Sequence, residues 1–325
     1  LADYVNIFGG IRFGKVLEDL DAMAATVAYM HVEGRSGKGP DGAPLLTVLT
    51  AAVDRIELRG VLPAGSDLRI RGMVTWVGSS SLQVTLAVES DVAEDGTTRL
   101  PDGQWRLAAL AKFIMVARTP DSKGPVPVNS VVAEGDRQLR LQAAGQAAAE
   151  KRRHRRATSR LPPSAEESRI IHEMFLAAQA AKKEGVDKAY HPMSETVLTT
   201  IRVCHPQERN LHDLMFGGIL MRDAFELAFA AASLYCRGRP MFRAIDELAF
   251  VHPVPIGSIL QFTATIVYTE VKSNSELVVH VEVIADVLSV AEASRSTTNT
   301  FHLTFTHRID PTSKLGILPV QPESY

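Results

Sequence analysis

Apolar and polar residues alternate along Leu68 to Val77 and Leu82 to Val88, and again along Leu260 to Tyr268 and Glu276 to Ile284. A period of two marks strands that bury one face, so these runs predict two antiparallel hairpins. Leu107 to Ala117, Asn299 to His307 and Thr196 to Val203 read as strands on the same ground. A different pattern runs through Ala224-Phe225-Glu226-Leu227-Ala228-Phe229-Ala230-Ala231-Ala232, which is apolar nearly all round. Such a helix must be covered on most sides, and its alanines let strands approach closely. Gln138 to Arg160, rich in Ala, Gln and Arg, predicts a solvated helix; Ser164 with Glu167 three positions on is a capping box that opens another, through about Lys183.

The strand runs come twice because the chain repeats itself. Phe8-Gly9-Gly10-Ile11 matches Phe216-Gly217-Gly218-Ile219, and in each copy a glutamate follows on the apolar segment, Glu18 and Glu226. Val53-Asp54-Arg55-Ile56 answers Ile245-Asp246-Glu247-Leu248, and the turn Val61 to Ser66 answers Pro253 to Ser258 in the same register. Each copy is expected to be an α+β unit, a glycine-started helix lying across an antiparallel sheet. The expected division is a first domain over 1–130, a helical linker over 131–190 and a second domain over 191–325. The first copy is expected to lack the opening strand that Thr196 to Val203 gives the second.

Composition narrows the function classes. The 325 residues are 46% hydrophobic and 22% charged, which suits ordinary buried cores. With Lys and Arg (35) balanced by Asp and Glu (37), no global field steers the chain onto nucleic acid, and aromatics at 6% without basic interleaving give no stacking platform. Cys204 and Cys236 are too few for a disulfide framework, so a reducing compartment is expected. No apolar stretch reaches the roughly 20 residues that span a bilayer. The histidines His31, His172, His191 and His280 have no ligand spacing, so no metal is expected. The run Lys151 to Arg156 reads as a solvated face.

The paired Phe-Gly-Gly is the strongest chemical signal. Glycines at a helix start let a ligand approach the backbone while unpaired N–H groups point at it, which suits polarisation of a carbonyl. Gly9, Gly10, Gly217 and Gly218 are therefore expected to line a substrate site. The loop before the second motif, Cys204 to Asp213, holds Asn210, His212 and Asp213, groups that can orient or activate water or contact substrate; the first loop offers Asn6. Carboxylates on the apolar helices need a purpose, because burying a charge is costly. Glu226, flanked by Phe225 and Leu227, is expected either to hold a partner or to act as a base, with Glu18 and Asp21 as the candidates in the first copy.

These residues resemble a known family. His205-Pro206-Gln207-Glu208-Arg209-Asn210, Phe216 to Arg222 and Phe225-Glu226-Leu227-Ala228 resemble the second hotdog domain of acyl-coenzyme A thioesterases, in particular the mitochondrial acyl-coenzyme A thioesterase 9 group. Arg12 to Asp21, Trp76-Val77-Gly78, Met115 to Arg118 and the linker stretches Pro163 to Glu167 and Ile171 to Leu176 are similar as well. The resemblance implies two hotdog domains in tandem, each a long central helix wrapped by an antiparallel sheet, pairing into one double hotdog. It implies hydrolysis of acyl-coenzyme A to fatty acid and coenzyme A, without a cofactor, and further self-association. It also implies a place in the mitochondrial matrix, with the cytoplasm as the alternative. A loop amide of one copy would face a helix acid of the other: Asn6 with Glu226, and Asn210 or Asp213 with Glu18 or Asp21. Many hotdog thioesterases carry a helix aspartate that falls, in this register, on Leu17 and Phe225. The other readings are a hotdog enoyl-coenzyme A hydratase, suggested by Glu208, Asn210, His212 and Asp213, and a non-catalytic acyl-coenzyme A binding or regulatory protein.

Overall fold

The computed structural model of the chain describes residues 2–32, 46–60, 62–119, 124–158, 162–183, 191–210, 213–246, 248–272, 275–289, 293–309 and 319–321. The chain divides into two compact units. The first comprises Leu1–Ser159 with Phe216–Arg222 and Glu247–Val251, and the second Arg160–Met215, Asp223–Asp246 and His252–Tyr325. In chain order the elements are α1 (Phe13–Val32), β1 (Thr47–Leu58), β2 (Leu68–Val77), β3 (Ser81–Ser90), β4 (Arg106–Arg118), α2 (Asp136–Thr158) and α3 (Ala165–Lys183). There follow β5 (His191–Pro192), β6 (Leu198–Val203), α4 (Gly217–Cys236), β7 (Met241–Ile245), β8 (Leu248–Ala249), β9 (Ile259–Val271), β10 (Glu276–Ser289), β11 (Ser294–Arg308) and β12 (Val320–Gln321). The alternating runs of the sequence are thus strands where the period of two placed them. The capping box also forms, with the Ser164 N–H donating to Glu167 at 2.8 Å and the Glu167 N–H to Ser164 Oγ at 3.3 Å.

In the first unit the strand order is β2-β3-β4-β1, all antiparallel, with β8 paired to β1 through Val53 and Leu248. Helix α1 lies on this sheet. Its buried residues, Phe13, Gly14, Val16, Leu17, Leu20, Asp21, Ala24, Ala28 and Val32, follow the helical repeat and form one stripe, in which Asp21 is the only charged member. In the second unit the order is β7-β11-β10-β9-β6, again antiparallel. Phe225 and Phe229 of α4 pack there on Phe305 of β11. Each unit is therefore a long helix on an antiparallel sheet, the α+β hotdog arrangement. No described helix is long and apolar enough to cross a membrane.

The structure corrects the register of the repeat at its start. Phe8, Gly9 and Gly10 form a loop ahead of α1, and the bridge Val5 to Ile11 answers the bridge Arg209 to Met215. Asn6 therefore answers Asn210, and the first residues of the helices, Phe13-Gly14 and Gly217-Gly218, answer each other. The Phe-Gly-Gly match was out of step by about one helical turn. The later register holds, because Gly10 bridges Pro63 as Leu214 bridges Pro255.

Helix α2 packs on β2. Trp76 Nε1 donates to Gln146 Oε1 at 2.8 Å, and Arg152, 8% exposed, reaches Asp54 at 3.4 Å. Lys151, Arg153, His154 and Arg155 of the basic run are exposed, and Arg152 anchors it. Gly145 makes the approach possible, since a Cβ there would lie 2.4 Å from Trp76 Cβ. Gly145→Ala is expected to push α2 off the sheet and cost about 1–3 kcal/mol, as overpacking does. Thermal melting followed by tryptophan fluorescence checks this: the variant melts lower with red-shifted emission, and an unchanged melt and spectrum would refute the packing.

Candidate functional site

Asp21 occupies the middle of the α1 stripe, between Leu17 and Leu20 on one side and Ala24 and Ala28 on the other, and is 2% exposed. A carboxylate there must be held by donors or give up its charge. Two donors hold it. Thr50 Oγ1 of β1 donates to Oδ1 at 2.8 Å, and the backbone N–H of Gly218 donates to Oδ2 at 2.7 Å. Burial raises the pKa of Asp21 to about 6, with the Thr50 and Gly218 hydrogen bonds pulling against it. The carboxyl therefore titrates just below neutral pH, the range in which a general base is both ionised and basic enough to take a proton from water.

Gly218 is the second residue of α4, so its N–H has no carbonyl one turn back and is free to point outward. The two glycines bring it to Asp21. A Cβ on Gly218 would lie 2.7 Å from Glu18 Cα, and one on Gly217 would lie 3.0 Å from Asp21 Oδ2 and 3.1 Å from the Phe250 ring. Phe250 is placed by its N–H, which donates to the Ala51 carbonyl at 3.0 Å, next to Thr50. Thr50 Oγ1 also lies 3.6 Å from Met115 Sδ on β4.

Of the residues singled out in the sequence, the structure brings together Asp21, Glu18, Gly217 and Gly218. Glu18 is not a free base: it pairs with Lys15 at 2.8 Å and with Arg222, the residue that answers it in the second copy. Gly9 and Gly10 do not start a helix. Gly9 turns the loop at φ +74, and the Gly10 N–H donates to Asn6 Oδ1 at 3.0 Å. The Asn6 amide is spent on its own loop, accepting also from the Phe8 N–H at 2.9 Å and donating to the Ile11 carbonyl at 3.1 Å. Asn210 folds its loop likewise, accepting from the Leu214 N–H at 3.2 Å. Asp213 is a surface group, 80% exposed and paired with Arg209 at 3.1 Å. His212 lies outside the described residues. Glu226 is half-buried on α4 and answers Ala22 rather than Glu18.

The corrected register shows what became of Asp21 in the second copy. Its counterpart is Phe225, and the counterpart of Thr50 in the β-turn register is Phe242, which sits opposite Phe305 of β11 as Thr50 sits opposite Met115 of β4. The Phe225 and Phe242 rings meet edge to face, 5.0 Å apart at 81°. An acid with its hydroxyl in one copy is an aromatic pair in the other. Sequence reasoning missed Thr50. The register itself had a signal, because Asp21 stands as far from Asn6 as Phe225 does from Asn210, but the louder Phe-Gly-Gly match hides that spacing.

No family model matches the chain. It is 34% identical over 310 residues to human mitochondrial acyl-coenzyme A thioesterase 9, covering 93% of this chain and 66% of that protein. It is 33% identical over 316 residues to the chloroplastic acyl-coenzyme A thioesterase 2 of Humulus lupulus, covering 94% and 68%. The chain thus spans about two thirds of the length of the curated relatives it matches. Among solved structures, a candidate oleoyl thioesterase from Lactobacillus plantarum shares the fold over 94% of this chain and 93% of its own, at a TM-score of 0.54 and 9% identity. With a third of its positions identical across nearly its whole length, and two helix-on-sheet units in tandem, the chain belongs to the acyl-coenzyme A thioesterase family, in the group that includes thioesterase 9.

Proposed function

We propose that this chain hydrolyses acyl-coenzyme A thioesters to a carboxylic acid and coenzyme A, with Asp21 as the base. The observation that carries this reading is the buried Asp21 carboxylate, held by Thr50 and by the N–H at the start of α4, in a chain of the thioesterase family. A thiolate is a good leaving group, so the reaction asks for a positioned water and a polarised carbonyl more than for a strong nucleophile. Asp21 takes a proton from water as the water oxygen attacks the carbonyl carbon. The N-terminus of α4 receives the negative charge that develops on the carbonyl oxygen. Collapse of the tetrahedral intermediate breaks the C–S bond, and the proton on Asp21 passes to the departing sulfur. Thr50 keeps Oδ1 fixed, so that Oδ2 is the working oxygen.

This reading places one hydrolytic centre in the chain, because Phe225 and Phe242 supply neither a base nor a hydroxyl. The reaction uses chain groups and water, with coenzyme A arriving as part of the substrate, and needs no further cofactor. Relatives named mitochondrial support that compartment for this chain, and self-association of double hotdogs goes with the same reading.

Asp21→Asn is expected to lower kcat by roughly 100- to 10,000-fold, the usual worth of a general base, while KM stays close to its original value. Glu226→Gln is expected to stay close to the parent rate. Release of free thiol from acyl-coenzyme A measures both, and a fully active Asp21→Asn protein would sink the assignment. Because Asp21 must be ionised to act, kcat/KM is expected to fall tenfold per unit as pH drops below about 6.

The same shift bears on stability. The folded-state value of about 6 lies above the ordinary 3.8, so the folded protein holds this proton more tightly than the unfolded chain. The resulting stabilisation is present below about pH 4, is lost as pH rises to about 6, and stays lost above it, roughly 3 kcal/mol in all. Asp21→Asn is therefore expected to melt higher than the parent at pH 8, with the gap closing at pH 4.5. Calorimetry at the two pH values tests this, and an equal gap at both would contradict it.

A further inference from the structure

The Gly218 N–H has two claims on it. In the structure it donates to Asp21 Oδ2 at 2.7 Å, while hydrolysis needs a donor at the start of α4 for the carbonyl oxygen. A single N–H cannot serve both at full strength. Asp21 is 2% exposed and each of its oxygens is engaged by an internal donor, so bulk water does not reach the carboxylate in this arrangement. Each oxygen keeps a second lone pair, but the burial has to be relieved for water to reach it, and opening one of the two bonds does that. The Thr50 bond ties the carboxylate to a strand held on both sides, by β4 and β8. The Gly218 bond, in contrast, is made by a helix end to which an incoming carbonyl brings an equivalent acceptor.

We propose that the Asp21–Gly218 hydrogen bond is a latch that the substrate opens: the thioester carbonyl oxygen takes the Gly218 N–H, and the released Oδ2 becomes the oxygen that deprotonates water. The inference rests on the hydrolytic reading above and adds an order of events to it. Without substrate the carboxylate is held and dry. With substrate, one exchange of acceptors polarises the carbonyl and frees the base together, so the base acts only when a carbonyl is in place. The exchange conserves hydrogen bonds, one N–H passing from a carboxylate to a carbonyl oxygen. The bond to the oxygen then shortens as negative charge develops on it.

The charged groups around Asp21 do not supply an alternative trigger. On α1, Lys15 pairs with Glu18, and Asp19 accepts from Tyr4 at 3.0 Å; on α4, Arg222 pairs with Glu18; on β1, Asp54 pairs with Arg152. Burial, Thr50 and Gly218 are the influences on the Asp21 carboxyl. Loss of the Gly218 donor removes support from its ionised form, which makes the freed oxygen a stronger base.

The test follows the Gly218 amide directly. In protein labelled with 15N-glycine, the Gly218 amide proton is recorded from pH 4.5 to 8, alone and saturated with a ketone analogue in which a methylene replaces the thioester sulfur. In the free protein the resonance is expected to move with the ionisation of Asp21, with a midpoint of about 6. In the complex it is expected to stop following pH, because its acceptor is then the ketone oxygen. A Gly218 resonance that still tracks Asp21 in the complex overturns the latch. The underlying reading fails separately, if Asp21→Asn hydrolyses acyl-coenzyme A as fast as the parent.

Discussion

A buried carboxylate is the constraint around which this chain is arranged. Asp21 stands where the packing of α1 on its sheet asks for an apolar residue, and desolvation of an ion there is opposed by two short hydrogen bonds rather than by a cation. Those bonds dictate much of the neighbourhood. Thr50 has to sit opposite on β1, and the first turn of α4 has to come within 2.7 Å of the acid. That approach excludes a side chain at 218, where a Cβ would meet the Glu18 backbone at 2.7 Å, and leaves 217 tight against Asp21 and Phe250. Two glycines, one threonine and one aspartate are thus a single geometric unit, and altering any one disturbs the support of the others.

The second copy shows the same scaffold with the constraint lifted. Phe225 replaces the acid and Phe242 the hydroxyl, and their edge-to-face contact is joined by Phe305, 6.1 Å and 5.8 Å from the two rings. Aromatic pairs of this kind contribute about 0.5–1.5 kcal/mol beyond the area they bury. A buried ionised group gives no such gain. The matching positions are thus settled by ring packing in the second copy and by hydrogen bonds to a carboxylate in the first.

Much of this was legible in the sequence, and the part that was not has a physical reason. Period-two alternation located β2, β3, β4, β9, β10 and β11, because a strand with one buried face writes its pattern into consecutive residues. The helix starts were misplaced because Phe8-Gly9-Gly10 and Phe216-Gly217-Gly218 use glycine for different ends. Gly9 serves a positive φ in a loop, and Gly217 and Gly218 serve close approach to α1. Letters repeat there without the structure repeating. From that slip came the pairing of Glu18 with Glu226 and the placing of an expected aspartate at Leu17. The resemblance also puts an expected aspartate at Phe225, and in the structural register the counterpart of Phe225 is Asp21. Thr50 stayed hidden because a threonine in a strand has no pattern of its own; only its partner across the fold gives it meaning.

The two loop asparagines carry the last step. Asn6 and Asn210 occupy matching places in the two copies, although the buried helix position that is Asp21 in one is Phe225 in the other. Their hydrogen bonds explain the match. Each asparagine accepts from a backbone N–H four residues on, Gly10 in one loop and Leu214 in the other, and so closes the turn that leads into α1 or α4. In the first loop both the oxygen and the nitrogen of the side chain are committed to the backbone. The turn closed by Asn210 leads into α4, which begins at Gly217. Both loops therefore close the same turn, whether the buried stripe of the helix that follows carries an acid, as at Asp21, or a ring, as at Phe225.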